Sequence, residues 1–212
     1  LAAFPGALNK AVVLGNPVRA DIATMAAPEV RFAEHQGALN ILVVGGSLGA
    51  QALNELIPQA LANIPKASRP IVIHQAGVKH IGALEANYQK HGVSADCRAF
   101  IDNMAEIYAQ ADFVICRAGA MTIAELSAVG LGSLLVPFPY AVDDHQTTNA
   151  VYLSENNAAF LIQQKELTVD KLVQVFLQLT RNQCLKMAKQ ARALGKPDAT
   201  ANVANVCMEV AL

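Results

Sequence analysis

The sequence predicts an α/β fold, a Rossmann-like parallel sheet with helices on both faces. Short apolar runs alternate along the chain with segments of helical spacing. Small-residue turns, Gly45-Gly46-Ser47-Leu48-Gly49 and Arg117-Ala118-Gly119-Ala120, join a run to a helix in two places. At 212 residues, 53% hydrophobic and 16% charged, the chain can bury one full-sized core.

Residues 1–19 read as a connector rather than the start of a domain. Phe4-Pro5-Gly6 and Gly15-Asn16-Pro17 punctuate a single apolar run, Ala11-Val12-Val13-Leu14, that no helix follows. The expectation is an inter-domain connector and the remnant of a missing upstream domain, with residues 20–212 as the functional domain. Residues 21–36 are polar and irregular, with at most one short helix. Ile41-Leu42-Val43-Val44 is the first strand, and 51–64 is helical with Pro58 marking a break or a fresh first turn. Ile71-Val72-Ile73-His74 is the second strand, and Gly77 leads into a helix through about Lys90. Cys97-Arg98-Ala99-Phe100 forms a third, shorter strand, after which Asp102 or Asn103 caps a brief helix over 104–109.

Phe113-Val114-Ile115-Cys116 has the length of a strand buried on both faces, and 122–129 resumes with helical spacing until Gly130 stops it. Leu134-Leu135-Val136 is a fifth strand, ended by Pro137 and Pro139. Asp143-Asp144-His145-Gln146 opens a helix to about Asn156, and Ala159-Phe160-Leu161-Ile162 is the sixth strand. Closing helices cover 168–179, 182–194 and 199–212.

A formal net charge of −1 supplies no long-range basic field to gather nucleic acid. Cys97, Cys116, Cys184 and Cys207 form no C-x-x-C pair, Cys97 and Cys116 read as inert small hydrophobes in or beside apolar runs, and the expectation is a reduced, soluble, cytoplasmic domain. No run approaches the ~18 apolar residues of a membrane span.

In a parallel sheet, ligands sit beyond the strands' carboxyl ends where the strand order reverses. A strand, small-residue turn and helix in that order aim free N–H groups at that place, an anion site by geometry. The first glycine turn has neither the spacing of a nucleoside-triphosphate loop nor G-x-G-x-x-G, and His74-Gln75 stands where a dinucleotide site wants an acid. Ser47 is either a phosphate ligand or a helix cap. Thr122-Ile123-Ala124-Glu125 matches a capping box, while Glu125 also suits a ribose. Arg117 either counters a phosphate or covers the end of the sheet with its stem. Asp143-Asp144-His145 lacks a second cluster to complete a metal site, so Asp144 is expected to cap its helix, with His145 and Gln146 facing the pocket.

Gly45-Gly46-Ser47-Leu48-Gly49-Ala50, Phe100-Ile101-Asp102-Asn103-Met104, 116–125 and Asp144-His145-Gln146-Thr147-Thr148-Asn149-Ala150 occur in this order. Together they resemble the C-terminal half of the MurG family of GT-B glycosyltransferases, family 28, and Gly15-Asn16-Pro17-Val18-Arg19 is similar to its connector. The resemblance implies an inverting enzyme of peptidoglycan synthesis at the cytoplasmic face of the bacterial inner membrane. Such an enzyme moves N-acetylglucosamine from UDP-N-acetylglucosamine to the C4 hydroxyl of the N-acetylmuramyl sugar of lipid I. It implies that Ile101 meets the uracil through its backbone and that Glu125 binds the ribose. Ser47 and the helix start at Ala120, Met121, Thr122 and Ile123, with Ala124 beside them, would hold the diphosphate. Gln146 would contact the sugar and Arg19 would close on the nucleotide. No metal or other cofactor is implied. Catalytic groups, the lipid I site and the peripheral membrane contact are expected in the missing domain, so this chain alone should bind donor without transferring sugar. Two alternatives stand beside this reading: a UDP-N-acetylglucosamine 2-epimerase-like enzyme and a non-catalytic UDP-sugar-binding subunit.

Overall fold

The computed structural model of the chain describes residues 12–46 and 50–210. The predicted features at Phe4-Pro5-Gly6, Ser47-Leu48-Gly49 and 211–212 lie outside them. Two helices, α1 (Ala20–Ala23) and α2 (Pro28–Glu34), replace the irregular segment expected over 21–36. Pro28 at the first helical position opens α2, where its missing N–H costs nothing. The sheet then begins with β1 (Asn40–Val44), followed by α3 (Gln51–Ala62), β2 (Ile71–Gln75), α4 (Ile81–Lys90), β3 (Asp96–Arg98) and α5 (Met104–Gln110). The second half runs β4 (Phe113–Cys116), α6 (Ala120–Val129), β5 (Ser133–Leu135), α7 (His145–Ser154), β6 (Ala159–Leu161), α8 (Val169–Gln178), α9 (Arg181–Ala193) and α10 (Ala199–Val210).

All six strands are parallel, in the order β3-β2-β1-β4-β5-β6. The chain therefore builds outward from β1 in one direction and restarts at β4 in the other. The reversal falls between β1 and β4, which pair from Ile41↔Phe113 to Val44↔Cys116. Their side chains fill both faces: Leu42, Val43, Val114 and Ile115 are all buried. β3 occupies Asp96–Arg98 rather than 97–100, because its register against β2 (Ile73↔Asp96 to Gln75↔Arg98) ends where β2 ends.

Pro58 does not break α3. It lacks the N–H that would bond the Asn54 carbonyl, and the side chain of Asn87 on α4 takes that place, Nδ2 donating to Asn54 O at 2.8 Å and to Glu55 O at 3.1 Å. Beside it His74 is fully buried between Tyr88 Oη (3.0 Å from Nδ1) and Asn54 Oδ1 (3.1 Å from Nε2). Desolvation lowers its pKa to about 3, so it is a neutral core group.

At the opposite end of the sheet, Asp112 is completely buried immediately before β4. Its Oδ1 meets His35 Nδ1 at 2.8 Å and Arg181 Nε at 3.2 Å. Its Oδ2 accepts from Asn40 N at 2.8 Å and from Arg181 Nη2 at 3.3 Å. A buried carboxylate is tolerable only when its lone pairs are filled in this way. His35 is thus a structural partner of this carboxylate.

Asn87→Ala should lower stability by about 1–2 kcal/mol by orphaning the Asn54 carbonyl. The loss should shrink in a Pro58→Ala background, where an N–H returns to that carbonyl. A double-mutant cycle by urea unfolding measures the coupling, and additive effects would refute it.

Candidate functional site

The turn between β4 and α6 lies at the strand-order reversal. Helix α6 starts at Ala120, three residues earlier than the capping-box reading required. Gly119 is its N-cap, and no side chain caps it. The first internal bond runs from Ile123 N to Gly119 O at 3.0 Å, so the N–H groups of Ala120, Met121 and Thr122 point out of the helix without a partner among the described residues. Thr122 stands in the first turn instead of at the cap. The Thr122–Glu125 box is therefore not formed, and the capping explanation of Glu125 falls.

Glu125 instead accepts a hydrogen bond from Tyr108 Oη on α5, Oε2 to Oη 3.0 Å. Burial pushes its carboxyl above the usual value, while the Tyr108 bond and the Arg19 charge pull the other way. Arg19 is the residue before α1, and its exposed side chain makes no capping bond. The electrostatic coupling brings two predicted residues, Arg19 and Glu125, into one neighbourhood. Asn16 of the connector donates from Nδ2 to Ala120 O at 3.3 Å, seating residues 12–19 against α6.

Gln146 at the start of α7 is half-buried. Its Oε1 accepts from Ala118 N (3.2 Å) and Phe138 N (3.0 Å), bridging the turns after β4 and β5. Three residues on, Asn149 donates from Nδ2 to Ala118 O at 3.0 Å. Both main-chain groups of Ala118 are therefore held from α7, which fixes where α6 begins. Gln146 Nε2 makes no hydrogen bond to a described residue.

Ile101 is buried in the loop between β3 and α5, and its N–H and C=O bond to no described residue. Asn103 caps α5, its Oδ1 accepting from Glu106 N at 3.3 Å. Ser47 lies outside the described residues. Gly46 just before it has φ 78°, a conformation glycine adopts without cost.

Arg117 is not free to counter a phosphate. Its Nη1 donates to Val136 O (3.1 Å) and Pro137 O (3.2 Å), its Nη2 to Gln164 Oε1, and its guanidinium lies 5.5 Å from the Phe138 ring centroid. It covers the end of the sheet. Asp144 occupies the position before α7, but its carboxylate accepts from Thr147 Oγ1 at 2.6 Å rather than from a backbone N–H. Asp143 and Asp144 both have φ 50°. Among the described residues no group of three or more His, Cys, Asp or Glu side chains is arranged to hold a metal ion. No helix among the described residues is long and apolar enough to cross a membrane.

Sequence reasoning missed Tyr108, Asn149 and Asn16. The spacing of Gln146 and Asn149 (i, i+3) puts them on one face of α7, a signal that was there to read. Tyr108 had none, because its partner lies on another helix.

The glycosyltransferase family 28 C-terminal domain matches residues 40–203. A relative from Cupriavidus pinatubonensis is 56% identical over 211 residues, covering 100% of this chain and 59% of its own length. One from Azoarcus sp. is 58% identical over 208 residues, covering 98% and 58%. Both are named UDP-N-acetylglucosamine–N-acetylmuramyl-(pentapeptide) pyrophosphoryl-undecaprenol N-acetylglucosamine transferase. The chain thus spans under two thirds of the length of these relatives. The crystal structure of Acinetobacter baumannii MurG superposes with a TM-score of 0.82 at 38% identity, covering 89% of this chain and 55% of that one. The glycosyltransferase VinC, at 16% identity and a TM-score of 0.58, shares the fold.

Ionised Glu125 destabilises the empty fold above its raised folded pKa, and this cost vanishes below the ~4.3 of a free glutamate. Glu125→Gln should therefore be at least as stable as the parent at pH 7, with any advantage gone at pH 4. Thermal melts at both pH values test this, and a large loss for the variant at pH 7 would contradict it.

Proposed function

The chain belongs to the glycosyltransferase family 28 C-terminal domain family, and on that premise we propose that it is the donor-binding part of an inverting N-acetylglucosaminyltransferase. Its ligand is UDP-N-acetylglucosamine, bound beyond the carboxyl ends of β1 and β4. One observation carries the reading: an uncapped helix start at the strand-order reversal, with a partly buried carboxylate, Glu125, a turn further along the same helix.

Each part of the donor has a counterpart. The diphosphate meets the N–H groups of Ala120, Met121 and Thr122, with Ile123 and Ala124 completing the turn behind them and Ser47 from the β1 turn on the other side. A helix start contributes about 0.3–1 kcal/mol to an exposed anion and up to ~2 kcal/mol to a partly buried one. Several contacts must therefore act together. Glu125, oriented by Tyr108, accepts from the ribose hydroxyls. The unpaired main-chain groups of Ile101 match the edge of the uracil. Gln146 presents Nε2 to the sugar, its Oε1 being occupied. Arg19 closes over the nucleotide.

In the transfer, the C4 hydroxyl of the N-acetylmuramyl sugar of lipid I attacks the anomeric carbon of N-acetylglucosamine. The bond from that carbon to the UDP oxygen breaks with inversion, and negative charge grows on the leaving diphosphate. Fixed N–H dipoles stabilise that charge without reorganising, a task for which no metal is proposed here. We assign the acceptor site, the general base and the peripheral contact with the cytoplasmic face of the membrane to the remainder of the longer protein that the relatives represent. The relatives' names favour the transferase over the epimerase-like reading and over a non-catalytic subunit.

Calorimetry with UDP, UDP-N-acetylglucosamine and UDP-glucose tests the site. Glu125→Ala should weaken all three by about tenfold or more, the value of a charged hydrogen-bond acceptor, in titrations run well below a melting temperature that itself falls because the buried Tyr108 hydroxyl loses its acceptor. Unchanged nucleotide affinity in that variant would overturn the assignment.

A further inference from the structure

The loop between β5 and α7 carries two aromatic side chains that folding leaves in water, Phe138 at 41% and Tyr140 at 82% exposure. Exposed aromatic rings are informative when something fixes them in place. Here the Phe138 N–H is bound by Gln146 Oε1, its ring lies 5.5 Å from the Arg117 guanidinium, and the Tyr140 ring meets it edge-on at 5.6 Å between centroids, 72° between planes. Arg117 is itself anchored through Val136, Pro137 and Gln164. Around the loop, Ala141 N donates to Phe138 O and Asp144 N to Ala141 O, both at 3.1 Å, and the left-handed Asp143 and Asp144 turn the chain into α7.

The shelf stands beside the candidate site, because the oxygen that binds Phe138 N also binds Ala118 N, one residue before the cap of α6. A ligand with phosphate at the start of α6 and a further group near Gln146 Nε2 would bring that group towards these rings. An aromatic face in water takes up the apolar C–H face of a pyranose, leaving the sugar hydroxyls to solvent and to polar neighbours.

We propose that Tyr140, braced by Phe138, stacks on the pyranose ring of the donor and is a sugar-positioning residue of the site. The proposal rests on the UDP-sugar reading above and adds the element that recognises the sugar apart from the nucleotide. The rings contribute the sugar increment of affinity, and the α6 start and Glu125 the nucleotide part.

The test is titration of the chain and of Tyr140→Ala and Tyr140→Phe with UDP and with UDP-N-acetylglucosamine, together with nuclear Overhauser contacts from the Tyr140 ring to the pyranose protons. Tyr140→Ala should leave UDP affinity unchanged and weaken UDP-N-acetylglucosamine about three- to tenfold. Tyr140→Phe should retain the parent's affinity, and the ring should show contacts to the sugar. Equal losses for both ligands, no loss for either, or absence of those contacts while UDP still binds would overturn the stacking role alone. Failure of UDP to bind the parent chain would sink the nucleotide reading and this proposal with it.

Discussion

The two amide side chains that α7 extends to Ala118 are the constraint on which the site depends. A helix start can serve as an anion cradle only if its position is fixed, since a fraction of an ångström separates a good hydrogen bond from a poor one. Gln146 takes the Ala118 N–H and Asn149 takes its carbonyl. The turn after β4 therefore cannot rotate without losing bonds on both sides. Gln146 also holds the β5 turn, so the two loops flanking the site share one anchor. A single side-chain oxygen thus ties both turns to α7.

Electrostatics at α6 follow the same plan at both ends. The N-terminal end is left without a side-chain cap, its positive dipole at the strand-order reversal. The C-terminal end is closed: buried Arg31 donates to Val129 O at 2.9 Å and Gly130 O at 2.7 Å. Burial pulls the Arg31 pKa down to about 10, which still leaves it charged at neutral pH. Between the ends, Tyr108 holds Glu125 in a partly desolvated position where burial disfavours ionisation.

Much of the fold was legible because its signals are local. Buried strands announce themselves as short apolar runs, and Gly130, with φ 72°, ends α6 at the place its sequence position suggested. Errors arose where a distant group decided the outcome. Pro58 looked like a break because Asn87, on the next helix, could not be foreseen as the donor that serves the freed carbonyl. The end of β3 is set by its register with β2, which no property of 97–100 encodes. In the site, the first turn of α6 was legible as strand, small residues, helix. The role of Glu125 was not, because a capping box and a ligand carboxylate use the same letters. Only the position of Gly119 removes the capping box. Ile101 and Arg19 came from resemblance alone, since nothing in their local sequence distinguishes them.

The carboxylate buried before β4 has a consequence for how the polypeptide acquires its shape during synthesis. Asp112 draws on Asn40 and His35, already translated, and on Arg181, which emerges from the ribosome much later. Until that guanidinium arrives, the amino-terminal edge of the sheet holds an anion only partly compensated. Docking of α9 is therefore coupled to the pairing of this carboxylate, and a chain that stopped short of Arg181 would hold the buried anion only partly compensated.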